Sequence, residues 1–152
     1  MSHNWMIPNP LALIAEITHR CPLHCVYCSN PLQMIGAKAE LSTEDWLRVF
    51  QQARSLGILH LHLTGGEPLA RVDLKDLVEG AHAAALYTNL ITSGIGLPEA
   101  RLAELVDAGL DHIQLSFQDS RDEPANWIAA QRRTPTKSFS RKRFAGSPLR
   151  SP

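Results

Sequence analysis

Long hydrophobic runs are missing from this sequence of 152 residues. No apolar stretch approaches the roughly 20 residues that span a bilayer, and Pro8 and Pro10 fall where a signal peptide has its apolar core. We therefore expect a cytoplasmic protein without a membrane partner. With 44% hydrophobic and 20% charged residues, the composition excludes collagen-like, mucin-like and wholly disordered chains.

Cysteine is scarce, and the three present, Cys21, Cys25 and Cys28, lie within eight positions. An odd and closely spaced set favours a metal site over a disulfide framework. Three thiolates can hold three corners of an iron–sulfur cluster and leave one iron open to an outside ligand. Zinc is the alternative, with His19 or His24 as a fourth ligand, although structural zinc usually pairs two ligand clusters and no second cluster is present.

The formal net charge of zero conceals two oppositely charged segments. Residues 1–131 hold all 15 acidic residues and eight basic ones, whereas residues 132–152 hold seven basic residues and no acid. The basic segment is aperiodic and contains Ser and Pro, which is typical of a disordered tail; no motif beside it favours nucleic-acid binding. We predict a patterned part over 1–130 and a tail over 131–152, and the abrupt change indicates a truncated or frame-shifted product.

Strand-like and helix-like patterns alternate before residue 118. Ser42 and Asp45 predict a capping box for the first helix, and Asp73 is expected to cap the second. In the third helix Leu102, Leu105 and Val106 are expected to face inward. This alternation, at about 25 to 30 residues a unit, predicts an α/β fold with parallel strands and right-handed crossovers. After Gln118 the pattern fails, and 127–130 is only a stub. The predicted strands cover 11–17, 59–63, 86–92 and 112–117; the helices cover 42–57, 74–85 and 98–109.

The segment Gly65-Gly66-Glu67-Pro68 follows the second predicted strand directly. Paired glycines let a backbone approach another group closely, and a carboxylate can receive an ammonium group. In isolation the segment would be a simple turn. The cysteines follow the first strand, however, and parallel α/β folds place active sites at the carboxyl ends of their strands. We therefore predict one site formed from both loops.

Two other patterns predict packing rather than ligand binding. His60 and His62 share one face of the second strand, where packing or hydrogen bonding is favoured over a metal site. Trp46 and Phe50 are expected to face the core from the first helix.

The cysteine loop resembles the hallmark of the radical S-adenosylmethionine (SAM) superfamily, Cys-x3-Cys-x-aromatic-Cys, with Tyr27 as the aromatic residue. The resemblance implies an incomplete (β/α)6 partial barrel with about four units. It implies a 4Fe-4S cluster on the three cysteines and SAM bound to the fourth iron. It also places several residues near SAM: Gly65, Gly66 and Glu67 at the methionine amino group, Tyr27 at the adenine, and Ser93, Ser116 and Gln118 at the ribose or methionine.

Residues 16–23, 27–32, 86–93 and 111–118 are similar to the peptide cyclases of pyrroloquinoline quinone (PQQ) biosynthesis. This resemblance implies an oxidoreductase that cleaves SAM reductively to a 5′-deoxyadenosyl radical, which then starts a Glu–Tyr carbon–carbon crosslink in the precursor peptide PqqA. It implies the small peptide chaperone PqqD and an external electron donor as partners. The alternatives are an inactive fragment or cluster-binding scaffold, another radical SAM enzyme that modifies peptides, and a zinc module.

Overall fold

The computed structural model describes residues 8–28, 30 and 39–129. These residues form two compact units, one of residues 8–22, 28, 30 and 39–117, the other of 23–27 and 118–129. The predicted tail, 131–152, lies outside the described residues. No helix in the described part is long and apolar enough to cross a membrane. In chain order the elements are β1 (Ala12–Glu16), α1 (Thr43–Ser55), β2 (His60–Thr64), a 3₁₀ helix (Pro68–Ala70), α2 (Leu74–Ala83), β3 (Tyr87–Thr92), α3 (Glu99–Asp107), β4 (His112–Leu115) and α4 (Asp122–Ile128).

The four strands form one parallel sheet in the order β1-β2-β3-β4. Each strand therefore pairs with the strand before it in the chain, and a helix of the first unit crosses over between β1 and β2, β2 and β3, and β3 and β4. Parallel neighbours need such crossovers, because a tight hairpin can only join antiparallel strands. The predicted α/β class with four strand–helix repeats is confirmed.

One face of the sheet forms the core with α1, α2 and α3. Leu61, Leu63 and Leu90 are fully buried on that face, and Phe50 and Leu77 reach them from the helices. Burying each such side chain contributes about 1.5 to 3 kcal/mol, so the alternation of apolar residues in the strands fixes which face meets the helices.

The opposite face of the sheet is largely polar. His60, His62 and His112 lie on it, and Ile14 on the same face is 68% exposed. The three helices α1, α2 and α3 all pack on the other side of the sheet, so none of them covers this polar face.

The predicted start of α1 is confirmed, whereas the predicted cap of α2 is wrong. The Asp45 N–H donates to Ser42 Oγ at 3.1 Å, and the Ser42 N–H donates to Asp45 Oδ2 at 3.2 Å. Asp73 makes no side-chain cap for α2. Its carboxylate instead accepts hydrogen bonds from Arg71 and Thr43, since a guanidinium group two residues away binds both carboxylate oxygens.

Two further expectations fail near the end of the patterned region. Val106 is exposed, whereas Leu105 is buried as expected and Leu102 is half-buried. Residues 122–128 form α4, where only a stub at 127–130 was predicted. The helix carries Pro124 in its first turn, a position at which the missing N–H removes no intrahelical hydrogen bond.

Candidate cofactor site at the carboxyl edge of the sheet

The loops after β1 and β2 are joined through their backbones in the first unit. The Gly66 N–H donates to the Thr18 carbonyl at 2.7 Å, and the Glu67 N–H donates to the Arg20 carbonyl, also at 2.7 Å. Both hydrogen bonds lie beyond the carboxyl ends of the strands. They hold the Gly-Gly-Glu segment beside the residues that lead into Cys21.

Gly65 and Gly66 are required by this close approach. A Cβ on Gly65 would lie 2.3 Å from the Thr18 carbonyl oxygen, and a Cβ on Gly66 would lie 2.5 Å from that of Arg20 and 2.7 Å from that of His19. Gly65 also has φ of +138°, which L side chains rarely adopt. The prediction of a close backbone approach is confirmed, and the group approached is the segment before Cys21.

The Glu67 carboxylate is 2% exposed and accepts four hydrogen bonds. Oε1 accepts from the Leu69 N–H at 3.1 Å and from Thr92 Oγ1 at 2.6 Å. Oε2 accepts from the Ser93 N–H at 2.9 Å and from Ser93 Oγ. The carboxylate therefore ties the loop after β2 to the end of β3 and brings together two predicted site residues, Glu67 and Ser93. An ammonium group here would share these oxygens with four donors.

The three cysteines are all described, and none of them forms a disulfide. Cys21 and Cys28 belong to the first unit, and Cys25 belongs to the second. Cys28 is exposed, and the other two are half-buried. Among the described residues, no three His, Cys, Asp or Glu side chains form a group that could hold a metal ion. The cluster ligands stay a prediction from the spacing.

The residues on either side of Cys25 are held by the end of α4, inside the second unit. The His24 N–H donates to the Ala129 carbonyl at 3.2 Å, and the Val26 N–H donates to the Ile128 carbonyl at 3.0 Å. The helix that the sequence pattern missed thus supports the central part of the cysteine loop. Its mixed polar composition gave no apolar periodicity that could have revealed it.

The other predicted cofactor contacts belong partly to the first unit and partly to the second. Tyr27 is exposed in the second unit, which also contains the half-buried Gln118. Ser116 belongs to the first unit and its N–H donates to the Thr92 carbonyl at 2.8 Å, which extends the β3–β4 pairing by one bond. The roles of Tyr27, Ser116 and Gln118 toward SAM stay predictions.

Sequence reasoning missed a buried carboxylate beside the residues that lead into Cys21. The Glu40 side chain is 6% exposed, and its Oε1 accepts from Thr18 Oγ1 at 2.7 Å and from the His19 N–H at 2.9 Å. Burial raises the pKa of Glu40, but these two hydrogen bonds and the charges of Arg20 and Arg71 outweigh it, so the pKa is lowered overall. The carboxylate is therefore ionised at neutral pH.

Arg71, likewise missed, lies two residues before the carboxylate that it binds. It donates to the Ile17 carbonyl at 2.7 Å, to the Leu41 carbonyl at 3.2 Å and to both oxygens of Asp73. Its side chain is 5% exposed. One buried guanidinium group thus joins the end of β1, the entry to α1 and the entry to α2. The Arg-x-Asp spacing at 71–73 was the available signal for this pair.

We expect the Arg71–Asp73 pair to make the fold sensitive to acid. The hydrogen bonds from Arg71 lower the pKa of Asp73 from 3.8 to about 2. A lowered pKa in the folded state means that the ionised form contributes stability above pH 4, which is lost as pH falls toward 2. Asp73→Asn should cost about 2 kcal/mol at pH 7 and flatten the stability profile between pH 4 and 2 in urea titrations. Glu79→Gln, at an exposed position in the middle of α2, is the comparison and should retain the loss of stability between pH 4 and 2.

The prediction that His60 and His62 pack or form hydrogen bonds is confirmed. His62 Nδ1 lies 3.0 Å from Asn89 Nδ2, and the rings of His60 and Tyr87 meet edge-on with centroids 5.3 Å apart. Both contacts lie on the polar face of the sheet. Asn89 Oδ1 is buried there without a hydrogen-bond partner in the part of the chain that the structure describes.

The sequence profile of the radical SAM superfamily matches residues 15–143. The chain therefore belongs to this superfamily, a class of enzymes that use a 4Fe-4S cluster and SAM. It is 62% identical over 119 residues to the PqqA peptide cyclase of Rhizobium meliloti, which covers 78% of this chain and 32% of that relative. The PqqA peptide cyclase of Methylocella silvestris is 57% identical over 123 residues, with coverages of 81% and 33%. The chain spans about a third of the length of these curated relatives.

Solved structures share the fold at lower sequence identity. SuiB of Streptococcus suis, bound to its precursor peptide SuiA, matches with a TM-score of 0.69 and 22% identity over 78% of this chain and 27% of that one. BtrN in complex with AdoMet and 2-DOIA matches with a TM-score of 0.63 and 20% identity, over 80% and 51% of the two chains. These likenesses show the fold alone, and they agree with the partial-barrel class expected from the sequence.

Proposed function

We propose that this chain provides the cluster-binding and SAM-binding part of a PQQ-type peptide cyclase. The observation that carries the proposal is the backbone pairing of the loop before Cys21 with the Gly-Gly-Glu segment. Two motifs predicted separately are neighbours at the carboxyl edge of one sheet. Open α/β sheets bind their ligands at that edge.

Cys21, Cys25 and Cys28 would hold the 4Fe-4S cluster. Their chemistry fits, because the three thiols are at least partly accessible, none is in a disulfide, and iron–sulfur clusters are held by thiolates. The chemistry that the bound cluster and SAM would supply is the one-electron cleavage of SAM to methionine and a 5′-deoxyadenosyl radical, with the electron coming from the external donor. The protein holds and orients these groups.

Residues of the neighbouring loops would line the SAM site. Gly65 and Gly66 keep the loop after β2 against the residues before Cys21, and Glu67 fastens the same loop to Ser93. We assign this edge to the methionine end of SAM. The adenine and ribose contacts are proposed for Tyr27, Ser116 and Gln118 on the family pattern.

The proposed substrate is a precursor peptide of the PqqA type, in which the radical would start a Glu–Tyr crosslink. Relatives called PqqA peptide cyclase at 57% and 62% identity support it, as does a structural neighbour that binds a precursor peptide. The polar sheet face that α1, α2 and α3 leave uncovered offers hydrogen-bonding side chains below the cofactor edge. A PqqD-type chaperone, an external electron donor and a cytoplasmic location complete the proposal.

Anaerobic reconstitution with iron, sulfide and reductant tests the cofactor assignment. We expect a brown protein with thiolate-to-iron charge-transfer absorbance, a spectral change on adding SAM, and formation of 5′-deoxyadenosine. Cys21→Ser, Cys25→Ser and Cys28→Ser should each lose the cluster, whereas His24→Ala should retain it. A colourless protein that binds zinc, and loses it in His24→Ala, would contradict the proposal.

A second candidate function is an inactive cluster-binding scaffold. The observation behind it is that this chain spans only about a third of the length of each relative, so their activity does not by itself extend to this chain. Such a scaffold would take up the cluster and respond to SAM without forming 5′-deoxyadenosine. The same reconstitution therefore separates the two candidates.

A further inference from the structure

We propose that Glu40 is a positioning residue for the cofactor site, because it fixes the peptide units that lead into Cys21. The inference rests on the proposed function. The Ile17 N–H still donates to the Thr64 carbonyl of β2 at 2.9 Å, and residues 18–20 then continue beyond β1 without regular secondary structure. The polar groups of residues 17–20 are nevertheless bound from two sides, by the Gly-Gly-Glu loop on one and by Glu40 and Arg71 on the other.

The Glu40 carboxylate supplies the side-chain acceptor for the polar groups of this segment. Its Oε1 accepts from both Thr18 Oγ1 and the His19 N–H, and Thr18 Oγ1 in turn accepts from the Arg20 N–H at 3.1 Å. Three consecutive residues before Cys21 therefore depend on one carboxylate oxygen. Hydrogen bonds to a buried charged acceptor are among the stronger ones in proteins, so they restrict this irregular segment effectively.

The second oxygen of Glu40 is oriented by positive charge. Oε2 lies 3.5 Å from Arg20 Nη2 and 4.0 Å from Arg71 Nη1. Arg71 is itself fixed by Asp73 and by the Ile17 carbonyl. Both carboxylate oxygens are therefore engaged, Oε1 by Thr18 and His19 and Oε2 by the two guanidinium groups, so Glu40 is restricted in a way that a solvated surface carboxylate is not.

The consequence for the site follows from the position of Cys21, one residue after Arg20. A metal ligand must lie within about 0.5 Å of its productive position. Without Glu40, the Thr18 hydroxyl and the His19 N–H would lose their acceptor, and the peptide units before Cys21 could shift by more than that. The expected result is a cluster that is bound incompletely or in altered geometry, in a protein that is still folded.

Hydrogen exchange of the His19 amide in cluster-free protein tests the support directly. Glu40→Ala should raise the exchange rate about tenfold or more, since a hydrogen bond to a charged acceptor is lost. Glu40→Gln keeps an oxygen acceptor and should restore most of the protection. Asp45→Ala is the matched control: it removes another carboxylate near the start of α1, one that binds Ser42, and should leave His19 unaffected.

Cluster uptake by the same variants tests the functional consequence. We expect Glu40→Ala to retain several-fold less iron per folded protein, or to show an altered electron paramagnetic resonance signal with SAM, while Asp45→Ala matches the wild type. Equal cluster content and signal in Glu40→Ala would overturn the positioning role and leave the proposed function standing. A wild-type protein that takes up no cluster would overturn the proposed function itself. Unchanged His19 exchange in Glu40→Ala would overturn the inference on either background.

Discussion

Gly66→Ala is expected to destabilise the protein by about 3 kcal/mol and to weaken cluster binding with it. The added Cβ would lie 2.5 Å from the carbonyl oxygen of Arg20 and 2.7 Å from that of His19. Both are backbone atoms that a rotamer change cannot move away. Either the two loops separate and lose the hydrogen bond from Gly66 to Thr18, or the strain is spread into β2. Urea unfolding followed by circular dichroism measures the loss.

Gly96→Ala is the control that separates close approach from backbone conformation. Gly96 has φ of +78°, but nothing lies within 4 Å of its added Cβ, whereas Gly66 lacks a positive φ. The Gly96 variant should therefore cost about 1 kcal/mol from conformation alone and leave the cluster unaffected. Equal losses in the two variants would contradict the close approach of the two loops.

Glu67→Gln is expected to cost about 3 kcal/mol although it preserves the shape of the side chain. The Glu67 carboxylate is the acceptor in all four of its hydrogen bonds, and the amide nitrogen of a glutamine cannot accept a hydrogen bond. Whichever way the amide is oriented, its NH₂ group faces one backbone N–H, that of Leu69 or of Ser93, which can only donate, and one hydroxyl group that would have to turn to accept. Thermal and urea unfolding of the variant measure the cost.

The contribution of Ser93 to this linkage can be isolated with a double-mutant cycle. Ser93→Ala removes the hydroxyl donor to Glu67 and the acceptor of the Ile95 N–H, so it should cost about 1 kcal/mol, and its effect should be smaller in the Glu67→Gln background because the contact with the carboxylate is already altered there. Glu79→Gln, on the exposed side of α2, serves as the neutral comparison. Additive effects of the Glu67 and Ser93 changes would show that the carboxylate does not depend on Ser93.

The fold was predictable from the sequence because its signals are local. The apolar alternation in β2 and the Ser42–Asp45 capping box each lie within a few residues, and both predict the element that forms. The predictions that were wrong concern residues whose partners are set by the tertiary structure. The carboxylate of Asp73 could serve α2 or Arg71, and the stronger bidentate ion pair prevailed, which only the folded arrangement reveals.

The candidate site likewise contains residues that the sequence predicts and residues that only the structure reveals. Cys21, Gly65 and Gly66 belong to short motifs that can be recognised in the sequence. The two loops that carry them lie side by side beyond the carboxyl ends of β1 and β2, as predicted. Glu40 lies 20 residues from Arg20 along the chain and belongs to no motif, so its contacts required the structure. The support of Cys25 by α4 escaped detection because helix 122–128 is too short for a clear periodic signal.

The strands lie in the sheet in the same order as in the chain, and this order affects how the sheet can fold during synthesis. Each new strand docks on the one synthesised just before it, so a lengthening chain on the ribosome can complete β1 to β3 before β4 has emerged. Contacts between successive repeats also keep loop-closure costs modest for a parallel sheet. Additional strands could join at the outer side of β4 without disturbing earlier pairings, which makes such an architecture easy to extend during evolution.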